Sequence, residues 1–529
     1  MILSHARTLT VVLALCAGFA LNPAAAASPE AVSAALQSNS VTWAGRNFNT
    51  DRLRASYEAR GHAPIWMSGT RLNKAGQQLV DEFAQSYRDG LEPGDYVAWV
   101  RGFTNVASSQ EAAKLELALS HAFLTLARDL YSGLTTPSVT DPNIVIAPKK
   151  TDVRQWLDGA AAIGPKAMYV TLRPNHPQYA QLRSMLNGYR NLLLRGGWLP
   201  ISEGPTLKPG MDEPRIGELR NNLGARGYDV LDTNQPDIFD DGLVDVVKHF
   251  QKRHGLDVDG AVGPATLRAL NVSAQQRVDQ LVINLERWRW LPRKLGRNHI
   301  LVNQAGFELF MIADGKTVDR RRVIVGKPFH QSPMFSDEIV YAEFNPTWTV
   351  PTSIATKEML PKIRNNPNYL DSKGYNLYRG WGANATPVSP YAVDWSTVSR
   401  RNFPFRIVQP PGPTNALGQV KFIFPNKFAV YLHDTPSRQL FSRTGRAFSH
   451  GCIRVEKPLE FAQKMFAQQG GLRPSRVGPI VESRKQTRVN LKQRLPVHLA
   501  YFTAWIDDGV PLFFEDVYER DRLVSKYLF

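Results

Sequence analysis

Along the first third of the chain, apolar residues recur at helical spacing. Between Glu111 and Tyr131 the residues Leu115, Leu119, Ala122, Phe123 and Leu126 fall on one face, and Gly133 and Pro137 end the pattern. A second helical run, Tyr179 to Arg195, closes at Gly196-Gly197. Residues 28–206 are therefore expected to form a helical scaffold domain, in which His62, His121 and His176 are too scattered to suggest chemistry. From Leu207 to Ser273 the elements shorten. One helix opens near Ile216, a second covers Gly242 to Gln251, and a third begins at Pro264, a first-turn position that tolerates a missing N–H. Turns fall at Asp259-Gly260 and Gly263-Pro264. Arg277 to Trp290 reads as a connecting helix with Val278, Leu281, Leu285 and Trp288 on one side.

Beyond Trp290 the period changes to two. Strands are predicted at His299–Asn303, Phe307–Ile312, Arg321–Val325, Ile339–Phe344, Val420–Phe424, Phe428–Leu432, Val497–Trp505 and Val510–Phe514. Many short strands at this spacing argue a β-sandwich or barrel. Residues 352–405, rich in Asn, Pro, Gly and aromatics, interrupt the strands, and Tyr369, Tyr375, Tyr378, Trp381 and Trp395 favour a folded lid over disorder. The expected fold class is a multi-domain α+β chain. It has a helical scaffold (28–206), a small three-helix domain (207–273), and a mainly β domain (274–529) with a lid insertion.

Composition narrows the class. Hydrophobic content of 43% and charged content of 21% are those of folded globular protein. Arg7, the apolar run Thr8–Leu21 and the small residues from Pro23 to Ser28 read as a secretory signal peptide over residues 1–27. That run falls short of the roughly 20 residues a bilayer span needs, so no integral membrane segment is expected in the mature chain. Lipidation at Cys16 is disfavoured by bulky Leu15, where lipoprotein processing takes a small residue. The net charge of +17 suits an anionic environment; for an exported chain that means a wall polymer or membrane headgroup and not nucleic acid.

Loss of the leader removes Cys16 and leaves one thiol, in Ser449-His450-Gly451-Cys452-Ile453-Arg454-Val455-Glu456. A lone cysteine has no intramolecular disulfide partner, so it is either buried filler or a nucleophile. A nucleophilic cysteine acts as thiolate and needs a base. His433, at the end of the strand expected over Phe428–Leu432, lies one loop away and fits that role. Asp434 is expected to orient it, through either its carboxylate or its carbonyl. The N–H groups of Gly451 and Cys452 are candidate oxyanion donors. His450 is expected to shape the pocket. Arg454, two residues past Cys452, faces the same side and suits a carboxylate. Ser449 and Tyr431 complete the expected substrate-binding set. Zinc held by His433, His450 and Cys452 would lack a supporting ligand pattern, and neither metal nor cofactor is expected.

Two resemblances sharpen this reading. Phe250-Gln251, Gly255-Leu256, Asp259-Gly260, Gly263-Pro264 and Thr266 together resemble the peptidoglycan-binding domain of wall hydrolases and cross-linking enzymes. Strand-His433, a spacer and Ser449-His450-Gly451-Cys452-Ile453-Arg454 resemble the signature of the L,D-transpeptidases with YkuD-type catalytic domains. The stretches Phe344–Pro351 and Gly412–Asn426 resemble the large, multi-domain periplasmic branch of that family; Arg454 departs from the commoner Asn. The resemblance implies a cysteine acyltransferase in the periplasm. Cys452 would attack the third residue of a tetrapeptide stem, expel D-alanine and pass the acyl group to a neighbouring amine as a 3→3 cross-link. Implied partners are peptidoglycan stems and glycan strands and other wall-synthesis enzymes. The same cysteine with water or another amine would make an L,D-carboxypeptidase or exchange enzyme, and an inert site would leave a wall-binding scaffold.

Overall fold

The computed structural model describes residues 27–100, 106–230 and 233–529. The expected signal peptide and Cys16 lie outside the described residues. The chain divides into two compact units, Met1–Tyr131 with Lys150–Arg173, and Ser132–Lys149 with Pro174–Phe529. Among the described residues no helix is long and apolar enough to cross a membrane.

The first unit is built around helix α1 (Ser109–Ser132), whose Leu115, Leu119, Ala122, Phe123 and Leu126 are all buried. Its polar side is buried too. Glu116 accepts hydrogen bonds from Tyr57 Oη (2.5 Å) and from the N–H groups of Ile65 (2.6 Å), Trp66 (3.0 Å) and Met67 (3.0 Å). One carboxylate thus satisfies a turn that would otherwise bury unpaired amides.

In the second unit, α2 (Pro177–Leu194) precedes the small helical module of α3 (Pro214–Ala225), α4 (Asp241–Arg253) and α5 (Pro264–Leu270), which has its own apolar core. The module's sequence phrase has a structural cause. Gln251 Nε2 donates to Asp259 Oδ1 (2.7 Å) and to the Ala261 carbonyl (2.9 Å), while its Oε1 accepts from Gly260 N–H (2.9 Å). Gly260 has φ +78°, and a Cβ there would meet Val244 at 2.9 Å, so the turn requires glycine.

Helix α6 (Ala274–Trp290) was expected to bury one side; it is buried nearly all round. Two ion pairs help to allow this, Arg289 with Glu286 at 2.8 Å and Arg287 with Asp521 at 2.5 Å, while Arg277 donates to Gln280 Oε1 at 2.7 Å. It covers strands β1 (His299–Asn303) and β2 (Glu308–Ala313). Alternation divides these strands between two cores: Ile300, Val302, Leu309 and Met311 face inward, whereas Leu301, Phe310 and Ile312 pack with Val278, Leu281 and Leu285 of α6.

The next strands are β3 (Lys316–Gly326) and β4 (Phe335–Phe344). The lid and the residues flanking it contribute β5 (Trp348–Thr349), β6 (Asn376–Arg379), β7 (Thr386–Pro387) and β8 (Phe405–Gln409), which form their own sheet in the order β7-β6-β8-β5. A separate core from Val350 to Ile407 supports it, including Trp395. After the lid come β9 (Val420–Ile423), β10 (Leu432–His433), β11 (Ala447–Ser449), β12 (Ile453–Val455) and β13 (Thr487–Ala500). The order β3-β12-β10-β9-β4-β13-β1-β2 closes through pairing of β2 with β3, with β11 beside β3. The sheet is a barrel, which leaves no free edge around the ring.

Two predicted strands are shorter than expected. The run Phe428–Leu432 is broken because Ala429 has φ +53°. Asn426 builds that bend, its Oδ1 accepting from Phe428 N–H (3.0 Å) and Val430 N–H (3.2 Å). The run Val497–Trp505 divides into β13 and β14 (Ala504–Asp507), the latter pairing with β15 (Val510–Phe513).

Candidate active site

Short strand β10 lies between β9 and β12, and its register fixes the site. It runs parallel to β12 with Leu432 opposite Ile453 and His433 opposite Arg454. Ile453 N–H donates to the Tyr431 carbonyl at 3.1 Å, and one step back along both strands brings Tyr431 beside Cys452. Leu432, Ile453 and Val455 enter the barrel core. The alternate residues Tyr431, His433, Cys452 and Arg454 therefore share the other face. The structure brings these four expected site residues together.

The remaining expected residues have other partners. His433 Nδ1 lies 2.5 Å from the Asp434 carbonyl. That carbonyl accepts, so Nδ1 carries the proton and Nε2 offers its lone pair. The Asp434 carboxylate turns away, accepting from the N–H groups of Gln419 (2.8 Å) and Thr435 (2.7 Å). His450 also turns away, its Nε2 lying 2.5 Å from Glu358 Oε1 in the lid.

Ser449 and Gly451 differ from expectation. Ser449 is buried, and its Oγ accepts from Gly451 N–H (3.0 Å) while donating to the Cys452 carbonyl (2.6 Å). The Ser449 hydroxyl and the Gly451 N–H are thus engaged within the turn itself. The Cys452 N–H has no acceptor among the described residues. Gly451 has φ +112°, which is what requires glycine. Behind the turn, Ser332 Oγ donates to the Gly451 carbonyl (2.7 Å) and accepts from Gly326 N–H (3.0 Å), and Tyr518 Oη donates to the Gly326 carbonyl (2.6 Å).

Residues 297–471, which contain this face and the lid, match the family described as L,D-transpeptidase catalytic domain (YkuD). That stretch is similar to an L,D-transpeptidase catalytic domain. Residues 212–270 match the family described as "Putative peptidoglycan binding domain", and residues 51–186 match a scaffold domain. A curated relative described as "Putative L,D-transpeptidase", from Haemophilus influenzae, is 34% identical over 259 residues, covering 47% of this chain and 51% of the relative. The chain thus spans about half the length of that relative. Solved structures that resemble it include an L,D-transpeptidase from Mycobacterium smegmatis (11% identity, 38% of this chain and 58% of the other, TM-score 0.18). Another is an L,D-transpeptidase from Stackebrandtia nassauensis (14% identity, 57% and 96%, TM-score 0.21).

Within the matched region, His433 stands between two cations by register, Arg454 on one side and Lys421 on the other. Burial, then Arg454, then Lys421 hold its pKa down to about 3, against the opposing pull of the Asp434 carbonyl. Burial pushes the Cys452 thiol up, while hydrogen bonds from Tyr431 and the charge of Arg454 pull it back. The pair therefore rests as neutral thiol and neutral imidazole. Burial and the neighbouring Cys452 raise the Tyr431 phenol well above its ordinary value, so it remains a donor. Arg454 Nε is buried without a partner, and no described carboxylate pairs with the guanidinium. Lys421, by contrast, is paired with Glu343 at 2.9 Å.

Several supporting residues escaped the sequence reading: Ala429, whose carbonyl lies 3.8 Å from Cys452 Sγ, and Ser332, Tyr518, Lys421 and Gly418. Gly418 has φ +61°, and a Cβ there would meet the Asp434 carboxyl at 2.3 Å. The stretch Gly412–Asn426 already carried the signal for Gly418, Lys421 and Asn426. Nothing local marks Ser332 or Tyr518, which reach the turn from distant segments.

Proposed function

We propose that this protein is a peptidoglycan L,D-transpeptidase acting through a Cys452 thioester. The observation that carries the reading is the shared face of Cys452, Tyr431, His433 and Arg454, with the His433 tautomer held by the Asp434 carbonyl. His433 Nε2 takes the thiol proton as Sγ attacks the carbonyl of the third residue of a tetrapeptide stem. The oxyanion develops against the Cys452 N–H. As the C–N bond breaks, the same proton passes to the departing D-alanine amine and a thioester remains. The side-chain amine of a neighbouring stem then attacks, giving a proton to His433 as the C–S bond breaks. The product is a 3→3 cross-link and a thiol reprotonated by His433. Arg454, half-buried and with its Nε unpaired, is the anchor for a substrate carboxylate. Ser449 and Gly451 act as positioning residues through the turn.

The division of labour proposed with it is a leader (1–27), a scaffold (28–206), a wall-binding module (207–273) and the catalytic domain (274–529) with its lid (352–405). In this reading the chain works in the periplasm on stems and glycan strands, alongside other wall-synthesis enzymes. Incubation of the mature chain with tetrapeptide muropeptides tests it. Dimers with release of D-alanine are expected; tripeptide monomers without dimers would make it an L,D-carboxypeptidase instead.

A further inference from the structure

Three side chains converge at the rim of the site, outside the four-residue face. His330 stands on the short turn Pro328–His330 after β3, Glu358 on the π-turn Ala355–Met359 of the lid, and His450 on the turn that carries Cys452. One candidate ligand atom from each lies within 4.8 Å of the other two. The His330 and His450 rings are centred 5.1 Å apart, and His450 Nε2 is 2.5 Å from Glu358 Oε1. π-turns are rare and concentrate at functional positions. A simple latch between His450 and Glu358 would leave His330 unexplained, since its ring nitrogens have no hydrogen-bond partner among the described residues.

Two imidazoles and one carboxylate are the donor set of three-ligand zinc sites, with ligand atoms about 2.0–2.2 Å from the ion and a fourth position left for water. Lys327 and Lys357 both act on the charge of His330, so Glu358 supplies the anion that makes the cluster attractive to a dication. This set shares only His450 with the zinc ligands considered from sequence. His433 and Cys452 are not among the side chains that converge here.

We propose that His330, Glu358 and His450 form a site for a divalent transition metal of the zinc class that ties the lid to the turn bearing Cys452. Two ligands come from the barrel and one from the lid, so the bound ion holds the lid on the rim and slows its opening.

The test uses the full mature chain with Cys452→Ala, which removes the thiol as a competing ligand and needs no acyl transfer. Its failure would leave the proposed function standing, and failure of the muropeptide assay would leave this site standing. Isothermal titration with Zn²⁺ should give one ion per chain. Adding His330→Ala, His450→Ala or Glu358→Gln should weaken binding by on the order of 100-fold, as expected when a ligand itself is lost. Far-ultraviolet circular dichroism checks each fold, with His330→Gln replacing His330→Ala if the latter unfolds. Zn²⁺ should also slow proteolysis within residues 352–405, and not in the Glu358→Gln chain. Absence of zinc binding, binding unchanged by all three substitutions, or lid cleavage indifferent to zinc would each overturn the proposal.

Discussion

Arg454 is the residue at which this site departs most from a plain cysteine–histidine pair. Its guanidinium lies opposite His433 in register and acts on Cys452 as well, lowering both pKa values after burial has moved them apart. A base held near 3 stays neutral, and therefore competent, far below the ordinary imidazole range. The acid limb of kcat/KM is thus expected well below pH 6.5, and Arg454→Asn should move it upward, because removing the cation makes His433 easier to protonate. Only part of the shift should return, since burial is the larger cause. Rates measured from pH 4 to 8 decide this, and an acid limb near 6.5 in the wild type would contradict it. Cys452→Ala should abolish the covalent adduct that intact-mass measurement detects with a carbapenem; an adduct in that variant would remove the nucleophile assignment. The candidates Cys452, His433 and Arg454 were legible because a lone thiol, a strand end and a two-residue spacing are properties of sequence. The local partners of Ser449 and Gly451, and the choice between the Asp434 carboxylate and carbonyl, were not, since each depends on which way a turn points a single N–H or carbonyl.

At the scale of elements, the site rests on turns held from behind. Ser332 joins the turn before β12 to the end of β3, and it is fully buried. Ser332→Ala leaves the Gly451 carbonyl and the Gly326 N–H unpaired, and should cost about 1–3 kcal/mol in urea unfolding. It should lower kcat more than it raises KM, because the nucleophile's carrier loosens while Arg454 remains. Gly418→Ala combines a positive φ with overlap of the Asp434 carboxyl, and should cost about 2–4 kcal/mol. A Gly418→Ala chain as stable as wild type would mean that Asp434 is free to move. Helices α1 to α5 were readable from apolar spacing and breakers alone. The all-round burial of α6 was not, because Glu286, Arg287 and Arg289 look solvent-facing until their partners are known. The break at Ala429 was likewise hidden in an apolar run with no glycine or proline.

For the whole molecule, charge distribution says more than the total. Residues 274–529 hold 37 Lys and Arg against 21 Asp and Glu, whereas residues 207–273 hold 8 against 11. The basic surplus belongs to the segment with the barrel, and the module matching peptidoglycan-binding domains is slightly acidic. Part of the surplus is concentrated between Arg473 and Arg494, where Arg473, Arg476, Arg484, Lys485, Arg488, Lys492 and Arg494 are all exposed and Glu482 is the sole acidic residue. Attraction of exposed charges to a polyanion is screened over about 10 Å at 0.1 M salt, while recognition by shape and hydrogen bonding is much less affected. Binding of the mature chain to purified sacculi should therefore have two parts. One should fall on the order of tenfold between dilute and 0.5 M salt, as expected for electrostatic steering. The other should persist and depend on residues 207–273. Reversing Arg473, Arg484 and Lys485 to Glu, which form no ion pair among the described residues, should remove the salt-sensitive part alone. Co-sedimentation across a salt series measures both. Salt sensitivity that survives the triple reversal would assign the attraction to another face of the barrel segment, and its complete absence would mean that the surplus charge has no part in wall binding.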